Sequence, residues 1–459
     1  MTIPGFDVPR AGVLLHPTSL PSRLIDGDVE RWIDLIASAG FKIWQMLPLG
    51  EPHSDLSPYQ CMSAFAMNPG LLDHYPELNT GHDDYHDFCL CHSYWLNDYA
   101  LFALLKKQYS GIAWYNWPDE FKFRDQKTID DMTVQYVSEL DLIKWQQYQL
   151  FSRWQMIRHY ASDRGIQLFG DMPIFVAHDS ADVWAHPELF LLDNELMPTF
   201  VAGVPPDYFS ETGQRWGNPH YDWDHMKQEG FSWWLSRLHY HFDLFDLIRI
   251  DHFRGFDAVW MIDAKCETAI DGHWENVHGD DLLSLLDDGL YQSIVAEDLG
   301  IITDPVIALR KKYNFPGMAV LQFAFDGSED NPHRPENIQN DCVVYTGTHD
   351  NDTTRGWCEK LPASSKDLLI ELFKLDADFH CLQLVDMMID SALKSRALIC
   401  ILTLQDLLYL DSSSRMNIPG TVENNWRWSF NWSDLPADFV DVNLSRLQLT
   451  GRTGDCYGK

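Results

Sequence analysis

Short runs rich in β-branched and apolar residues recur along the chain, with longer amphipathic stretches between them, the pattern of parallel strands joined by helical crossovers. Eight runs stand out: AGVLLH (11 to 16), FKIWQMLPL (41 to 49), IQLFGDMPIFV (166 to 176), LFDLIRID (244 to 251), SIVAED (293 to 298), GMAVLQFAF (317 to 325), DCVVYTGTHD (341 to 350) and RALICILTLQD (396 to 406). Eight such units close a barrel, so the pattern predicts an α/β chain folded as a (β/α)8 TIM barrel. Between the first two runs, DVERWIDLIASAG (28 to 40) puts Val29, Trp32, Ile33 and Ile36 on one helical face. Thr303, Asp304 and Pro305 read as the cap and first turn of another helix.

The spacing of the runs is uneven. About 115 residues separate the second from the third, far more than a βα connection needs. Residues 50–165 are therefore expected to form an inserted, mainly helical subdomain, with helices within 93–109 and 142–161. A second insertion, 178–226, is dense in Pro, Gly and aromatics and reads as an ordered loop subdomain rather than a helix. No repeat, low-complexity tract or Ser/Gly linker interrupts the chain, so 1–459 is expected to be a single catalytic barrel with insertions.

Charge narrows the partners. Against 68 Asp and Glu stand 34 Lys and Arg, a formal charge of -34, which argues against nucleic acid and anionic membrane as ligands. The N-terminal MTIPGFDVPRAGVLLHP lacks a basic segment followed by an apolar one, and no apolar run approaches the roughly 18 residues of a membrane span, so a cytoplasmic protein is expected. Nine cysteines without a repeating spacing fit reduced thiols better than a disulfide framework. Most of the 18 tryptophans, Trp32 and Trp154 among them, are expected in the core. Trp216 is the exception, since Gly213, Gly217, Asn218 and Pro219 around it leave no regular element to bury it.

Three of the runs end in acidic residues: LIRIDHFRG, IVAEDLG and VVYTGTHDND. Strands that deliver Asp251, Glu297 and Asp350 to one mouth would supply the equipment for cleaving a glycosidic bond. With retention, one carboxylate attacks the anomeric carbon while a carboxylic acid, roughly 5 to 5.5 Å away, protonates the leaving oxygen. Asp251 and Glu297 suit those roles, and Asp350 suits stabilising the cationic transition state. Arg249, two residues before Asp251, points to the same face of a strand and would hold the nucleophile ionised. His349 and His252 are natural hydroxyl-binding neighbours.

Other readings of these residues stay open. Acidic residues end many strands because loops are polar and Asp caps the next helix; three such ends, one with Arg at i−2, favour the chemical reading. A non-catalytic glucan-binding protein would be expected to have lost a carboxyl. A metal-dependent amidohydrolase barrel needs an H-x-H pair on its first strand, which here offers only His16. In HDDYHDFCLCHSYW, His82, His86, Cys89, Cys91 and His92 lack the paired two-loop spacing of a structural zinc site, and no metal or cofactor is expected.

RIDHFRGF, AEDLG and YTGTHDNDT resemble the active-site segments of the amylomaltase family, the 4-α-glucanotransferases or disproportionating enzymes. The likeness runs from LLHPTSLPS (14 to 22) through SPYQ (57 to 60), GDMPIFVAHDSADVW (170 to 184), VAGVPPDYFSETGQRWGNPHYDWD (201 to 224) and PGMAVLQFAF (316 to 325) to RMNIPGT (415 to 421) and NWRW (425 to 428). It implies a barrel of the α-amylase clan, Asp251 as the residue that forms the covalent glucosyl-enzyme, Glu297 as acid then base, and Asp350 as transition-state stabiliser. It implies further that Arg249, His349 and Asp171 line the donor side, that Asp207, Gln214 and Trp216 belong to a loop over the cleft, that Ser57 and Tyr59 meet the acceptor, and that Asn417 contacts sugar. The substrates implied are maltooligosaccharides, glucans and glucose, with a hydrolase of the same clan as the alternative. Met67, Ala319 and His278 depart from the family pattern, and the first of them bears on the acceptor side.

Overall fold

The computed structural model describes residues 8–206, 210–376 and 378–454. In chain order its strands are β1 (Arg10–Leu14), β2 (Ile43–Gln45), β3 (Gln167–Pro173), β4 (Phe200–Val204), β5 (Gln214–Pro219), β6 (Leu247–Asp251), β7 (Ala258–Asp263), β8 (Gly272–Asn276), β9 (Ile294–Ala296), β10 (Gly317–Val320), β11 (Cys342–Tyr345) and β12 (Ile399–Thr403). Each of the eight predicted runs overlaps one strand of an eight-stranded sheet, ordered β10-β11-β12-β1-β2-β3-β6-β9 with every pairing parallel. Its two ends meet where the Ala296 N–H donates to the Pro316 carbonyl at 2.8 Å. The result is a (β/α)8 barrel.

Alternation along each strand divides the core in two. Leu14, Ile43, Phe169, Leu247, Val295, Met318, Val343 and Ile399 fill the barrel interior, while Val13, Trp44, Leu168, Ile248, Ile250, Val344 and Cys400 face the helices outside. Burial on both faces is why the runs read as continuously apolar rather than alternating. Each fully buried Ile or Leu is worth about 1.5 to 3 kcal/mol, so the apolar parts of the strands hold the register. Polar residues are left to the strand ends. Packing outside is close: a Cβ at Gly170 on β3 would stand 2.3 Å from the Phe245 ring. Phe245 in turn meets Trp154 edge-on, and the indole N–H of Trp154 donates to the Leu244 carbonyl at 2.8 Å.

The predicted first helix spans Gly27–Ser38, with Val29, Trp32, Ile33 and Ile36 buried and Asp26 capping its start. The helix after β9 spans Asp304–Lys312; Thr303 occupies its N-cap position without a side-chain capping bond. Between β2 and β3 lie the helices Asp83–Cys91, Ser93–Gln108, Gln126–Gln135 and Val137–Asp163. His92 is buried there against Phe88 and Phe151, whereas Cys91 is exposed. Among the described residues no group of His, Cys, Asp and Glu is arranged to hold a metal ion.

Two expectations need correction. The segment 178–226 is not loop alone: β4 and β5 join β7 and β8 in an antiparallel sheet ordered β5-β4-β7-β8. FVAGV and QRWGNP are short and each is interrupted by a Gly, the second also ending in Pro, and their register shifts between Val201 and Gly203. Pairing with the distant β7 fixes them instead, and Trp216 consequently sits within β5 rather than outside any regular element. The cysteines are not all free: Cys358 and Cys381 form a disulfide, joining the helices Thr354–Lys360 and Cys381–Lys394. Helix packing brings together a pair that the odd count conceals.

Candidate active site

On β6 the interior positions are Leu247, Arg249 and Asp251, so the side chains turn from apolar to charged as the strand reaches the C-terminal mouth of the barrel. Asp171 on β3 is the register partner of Arg249. On the other side, Ile250 pairs with Ala296 and the Glu297 N–H donates to the Ile250 carbonyl at 3.0 Å. Asp251 and Glu297 therefore each follow the last paired residue of neighbouring strands, whose spacing in a sheet is about 4.8 Å. Asp350 arrives from the loop after β11.

Arg249 organises the floor. Its Nη1 donates to Asp171 Oδ1 and Oδ2 at 2.8 and 2.7 Å, and its Nη2 donates to Asp251 Oδ1 at 2.7 Å. Asp171 also accepts from the Tyr59 hydroxyl at 2.7 Å. The Tyr59 ring stacks on His349 with centroids 5.1 Å apart, and the phenol oxygen faces His349 Nδ1 at 3.5 Å. His349 Nε2 lies 3.4 Å from Asp350 Oδ2, and Asn417 Nδ2 donates to Asp350 Oδ1 at 2.6 Å.

Glu297 is held differently. Its oxygens accept main-chain N–H groups, Oε2 from His252 at 2.7 Å and Oε1 from Leu299 at 2.8 Å. The His252 amide is aimed by a left-handed backbone, φ 56° and ψ 51°, that an L-residue seldom adopts. Burial pushes the Glu297 carboxyl up to about 7, against the pull of Arg249 and with the charge of Asp251 adding to the rise. Burial raises Asp251 as well, and Arg249 opposes it. When the two carboxyls share one proton, Glu297 is its better site, since Asp251 has the guanidinium bonded to it and Glu297 has only neutral donors.

The third carboxyl shows the opposite balance. Burial acts to raise Asp350, but the charge and contact of His349, with Asn417, outweigh it and hold it well below the usual carboxylate range. Its side chain keeps 46% of its surface accessible, so solvent screens part of that effect. Burial lowers His349, and Asp350 more than restores it. A carboxylic acid beside two carboxylates, one gripped by Arg and one by His, is an arrangement for acid catalysis, nucleophilic attack and stabilisation of positive charge.

The expected residues fall into groups. Asp251, Asp350, Arg249, His349, Asp171, Tyr59 and Asn417 form one bonded cluster, and Glu297 stands beside it within reach of the charges of Arg249 and Asp251. Gln214 and Trp216 stand on β5, joined by an indole N–H donating to Gln214 Oε1 at 3.2 Å. Trp216 meets the His252 ring edge-on at 4.9 Å. Ser57 accepts from the Tyr59 N–H at 3.4 Å at the corner that presents the phenol, and Asp207 lies outside the described residues. The His252 ring, expected among hydroxyl binders, packs between Trp216 and Phe175, and burial holds it neutral. Of the departures, Met67 is buried with its backbone bonded to the Gln147 amide, Ala319 lies on β10, and His278 occupies the N-cap position of the helix Gly279–Leu283 without a side-chain capping bond, its Nε2 2.8 Å from Asp224.

Sequence reasoning missed four contributors. The His252 and Leu299 amides carry no side-chain signal at all. Arg415, whose Nη2 donates to the Asp350 carbonyl at 2.5 Å, lay in RMNIPGT next to the expected Asn417. Trp426, 5.8 Å from the Tyr59 ring and 5.9 Å from His349, was visible only as part of NWRW.

A family model described as 4-alpha-glucanotransferase matches residues 15–80 and 73–434. A 4-alpha-glucanotransferase of Synechocystis sp. is 40% identical over 499 aligned residues, covering 96% of this chain and 98% of the relative. One from Thermus thermophilus is 40% identical with the same coverage. The chloroplastic or amyloplastic one of Solanum tuberosum is 38% identical over 96% of this chain and 85% of its own. Among solved structures, the amylomaltase of Streptococcus agalactiae in complex with acarbose superposes with a TM-score of 0.89 at 29% identity, over 97% of this chain and 99% of that one. The amylomaltase of Corynebacterium glutamicum, at 16% identity and TM-score 0.76 over 98% and 76% of the chains, shares the fold.

Proposed function

The chain belongs to the 4-alpha-glucanotransferase family and is an enzyme of amylomaltase type, and from that premise we propose how its residues transfer an α-1,4-glucan segment by double displacement. Asp251 attacks the anomeric carbon of a bound maltooligosaccharide donor while Glu297 gives its proton to the departing O4. The C1–O4 bond breaks, a C1–Oδ ester forms, and the shortened glucan leaves. The 4-hydroxyl of an acceptor glucan or glucose then takes its place, Glu297 removes the hydroxyl proton, and the new C1–O4 bond displaces Asp251.

The observation that carries this reading is the place of Asp251 and Glu297 immediately after the last paired residues of β6 and β9, Ile250 and Ala296, with unlike partners. Arg249 favours the ionised nucleophile, and burial to about 7 favours a protonated Glu297. Asp350, kept anionic by His349 and Asn417, meets the positive charge that develops on the sugar. Tyr59, bonded to Asp171 at the edge of the donor-side group, meets the acceptor with Ser57, and Trp216 and Gln214 belong to the cleft wall.

Transfer wins over hydrolysis when the intermediate meets a stacked sugar before it meets water. Trp216, Tyr59 and Trp426 are aromatic faces suited to that. Among the described residues no helix is long and apolar enough to cross a membrane, and a cytoplasmic location, to be checked by fractionation, completes the proposal.

Incubation with maltotriose tests it. The wild-type protein is expected to yield glucose together with a ladder of longer maltooligosaccharides, and Asp251→Asn essentially none. A ladder of undiminished intensity from the variant removes Asp251 from the nucleophile role; glucose without longer products identifies a hydrolase.

A further inference from the structure

Seven of the eight junctions of the barrel carry parallel backbone ladders. Among the described residues the eighth, between β9 and β10, has a single backbone bond, from the Ala296 N–H to the Pro316 carbonyl. Beyond it, side chains receive the amides of β10. The Met318 N–H donates to Asp298 Oδ1 at 2.7 Å, and the Val320 N–H donates to His333 Nδ1 at 3.2 Å. A ring nitrogen accepts only when unprotonated, and burial keeps His333 neutral by lowering it to about 4.

The Asp298 contact is closely built. Asp298 Oδ2 lies 3.1 Å from Arg310 Nε, with the two side chains 14% and 10% exposed. Arg310 Nη1 donates to the Phe315 carbonyl at 2.9 Å and the Asp341 carbonyl at 3.1 Å, so one guanidinium ties the carboxyl to the approaches of both β10 and β11. A Cβ at residue 317 would stand 2.5 Å from Asp298 Oδ2. The carboxyl reaches the strand because that position is Gly.

This clasp sits inside the acid/base apparatus. Asp298 follows Glu297 directly, and the next amide, Leu299, is the donor to Glu297 Oε1. We propose that Asp298 is a positioning residue for the transfer reaction: by replacing the missing ladder between β9 and β10, it fixes the 297–299 peptide and with it the aim and proton affinity of Glu297. The inference rests on the acid/base role of Glu297. From β6 the charged groups facing Glu297 are Arg249 and Asp251, with neutral His252 beyond. Behind Asp298 stand Arg310 and Asp341.

Two variants disturb the clasp by different routes. Asp298→Asn keeps an acceptor for Met318 but removes the charge beside Arg310; Gly317→Ala leaves Asp298 intact and drives its carboxyl off β10. Both are assayed for kcat and KM with maltotriose across pH, beside Glu297→Gln. We expect kcat to fall about ten-fold with KM within about two-fold, and the alkaline limb to move to higher pH as the Glu297 carboxylate loses the Leu299 donor. An alkaline limb that stays in place or moves down, with only thermal stability reduced, makes Asp298 purely architectural and overturns the inference. Should Asp298→Asn not fold, Gly317→Ala decides alone. An inactive Glu297→Gln beside an unaltered Asp298→Asn sinks the clasp only, whereas a fully active Glu297→Gln sinks the acid/base reading beneath it.

Discussion

The main-chain N–H of His252 donates to Glu297 Oε2 at 2.7 Å, and it can do so because His252 adopts φ 56° immediately after Asp251. One reversal of the backbone thus delivers a nucleophile from β6 and an amide to the acid that follows β9. The strain of such a residue is of order 1 to 3 kcal/mol and survives because the surrounding packing imposes it.

Asn tolerates the left-handed region and Val does not, while both remove the imidazole that packs on Trp216. Asn at position 252 is therefore expected to retain at least about ten-fold more kcat/KM than Val there. Equal activity of His252→Asn and His252→Val in steady-state assays would show that the amide does not depend on this backbone conformation.

Glu297 links activity to pH. Its proton is needed for bond cleavage, so the rate is expected to fall as pH rises through about 7, and to fall again in acid as Asp251 protonates. Because the folded value lies above the ordinary 4.5, the group's contribution to stability is fully present below 4.5 and lost as pH rises through about 7. Glu297→Gln, always neutral, is expected to be more stable than wild type at pH 8 by about 2 kcal/mol and equal to it near pH 4. Denaturant titrations at the two pH values check this, and a pH-independent difference would contradict it.

Arg249 reaches Asp171 with one nitrogen and Asp251 with the other. A lysine ammonium is a single point and cannot reproduce that fork, so Arg249→Lys is expected to lower kcat on the order of a hundred-fold though the charge is kept. Wild-type kcat in Arg249→Lys would reduce the contact to simple charge compensation.

The barrel was legible because its strands are buried on both faces: eight apolar runs announce themselves whatever surrounds them, and each overlaps a strand. The carboxyls at their ends were legible because period two carries Arg249 and Asp251 to one face. Less local features were hidden. β4 owes its form to β7, whose paired residues lie 57 to 63 positions further along the chain, and β5 to β4, and nothing in FVAGV or QRWGNP encodes those partners. The Cys358–Cys381 pair depends on how two helices pack. Residue types and periodicity by themselves determined the barrel and its acidic mouth. Only the tertiary structure decided which oxygen meets which donor, above all that Glu297 is held by two backbone amides and Asp251 by a guanidinium, because hydrogen bonds of the main chain and register between distant strands leave no mark in the identity of the residues they join.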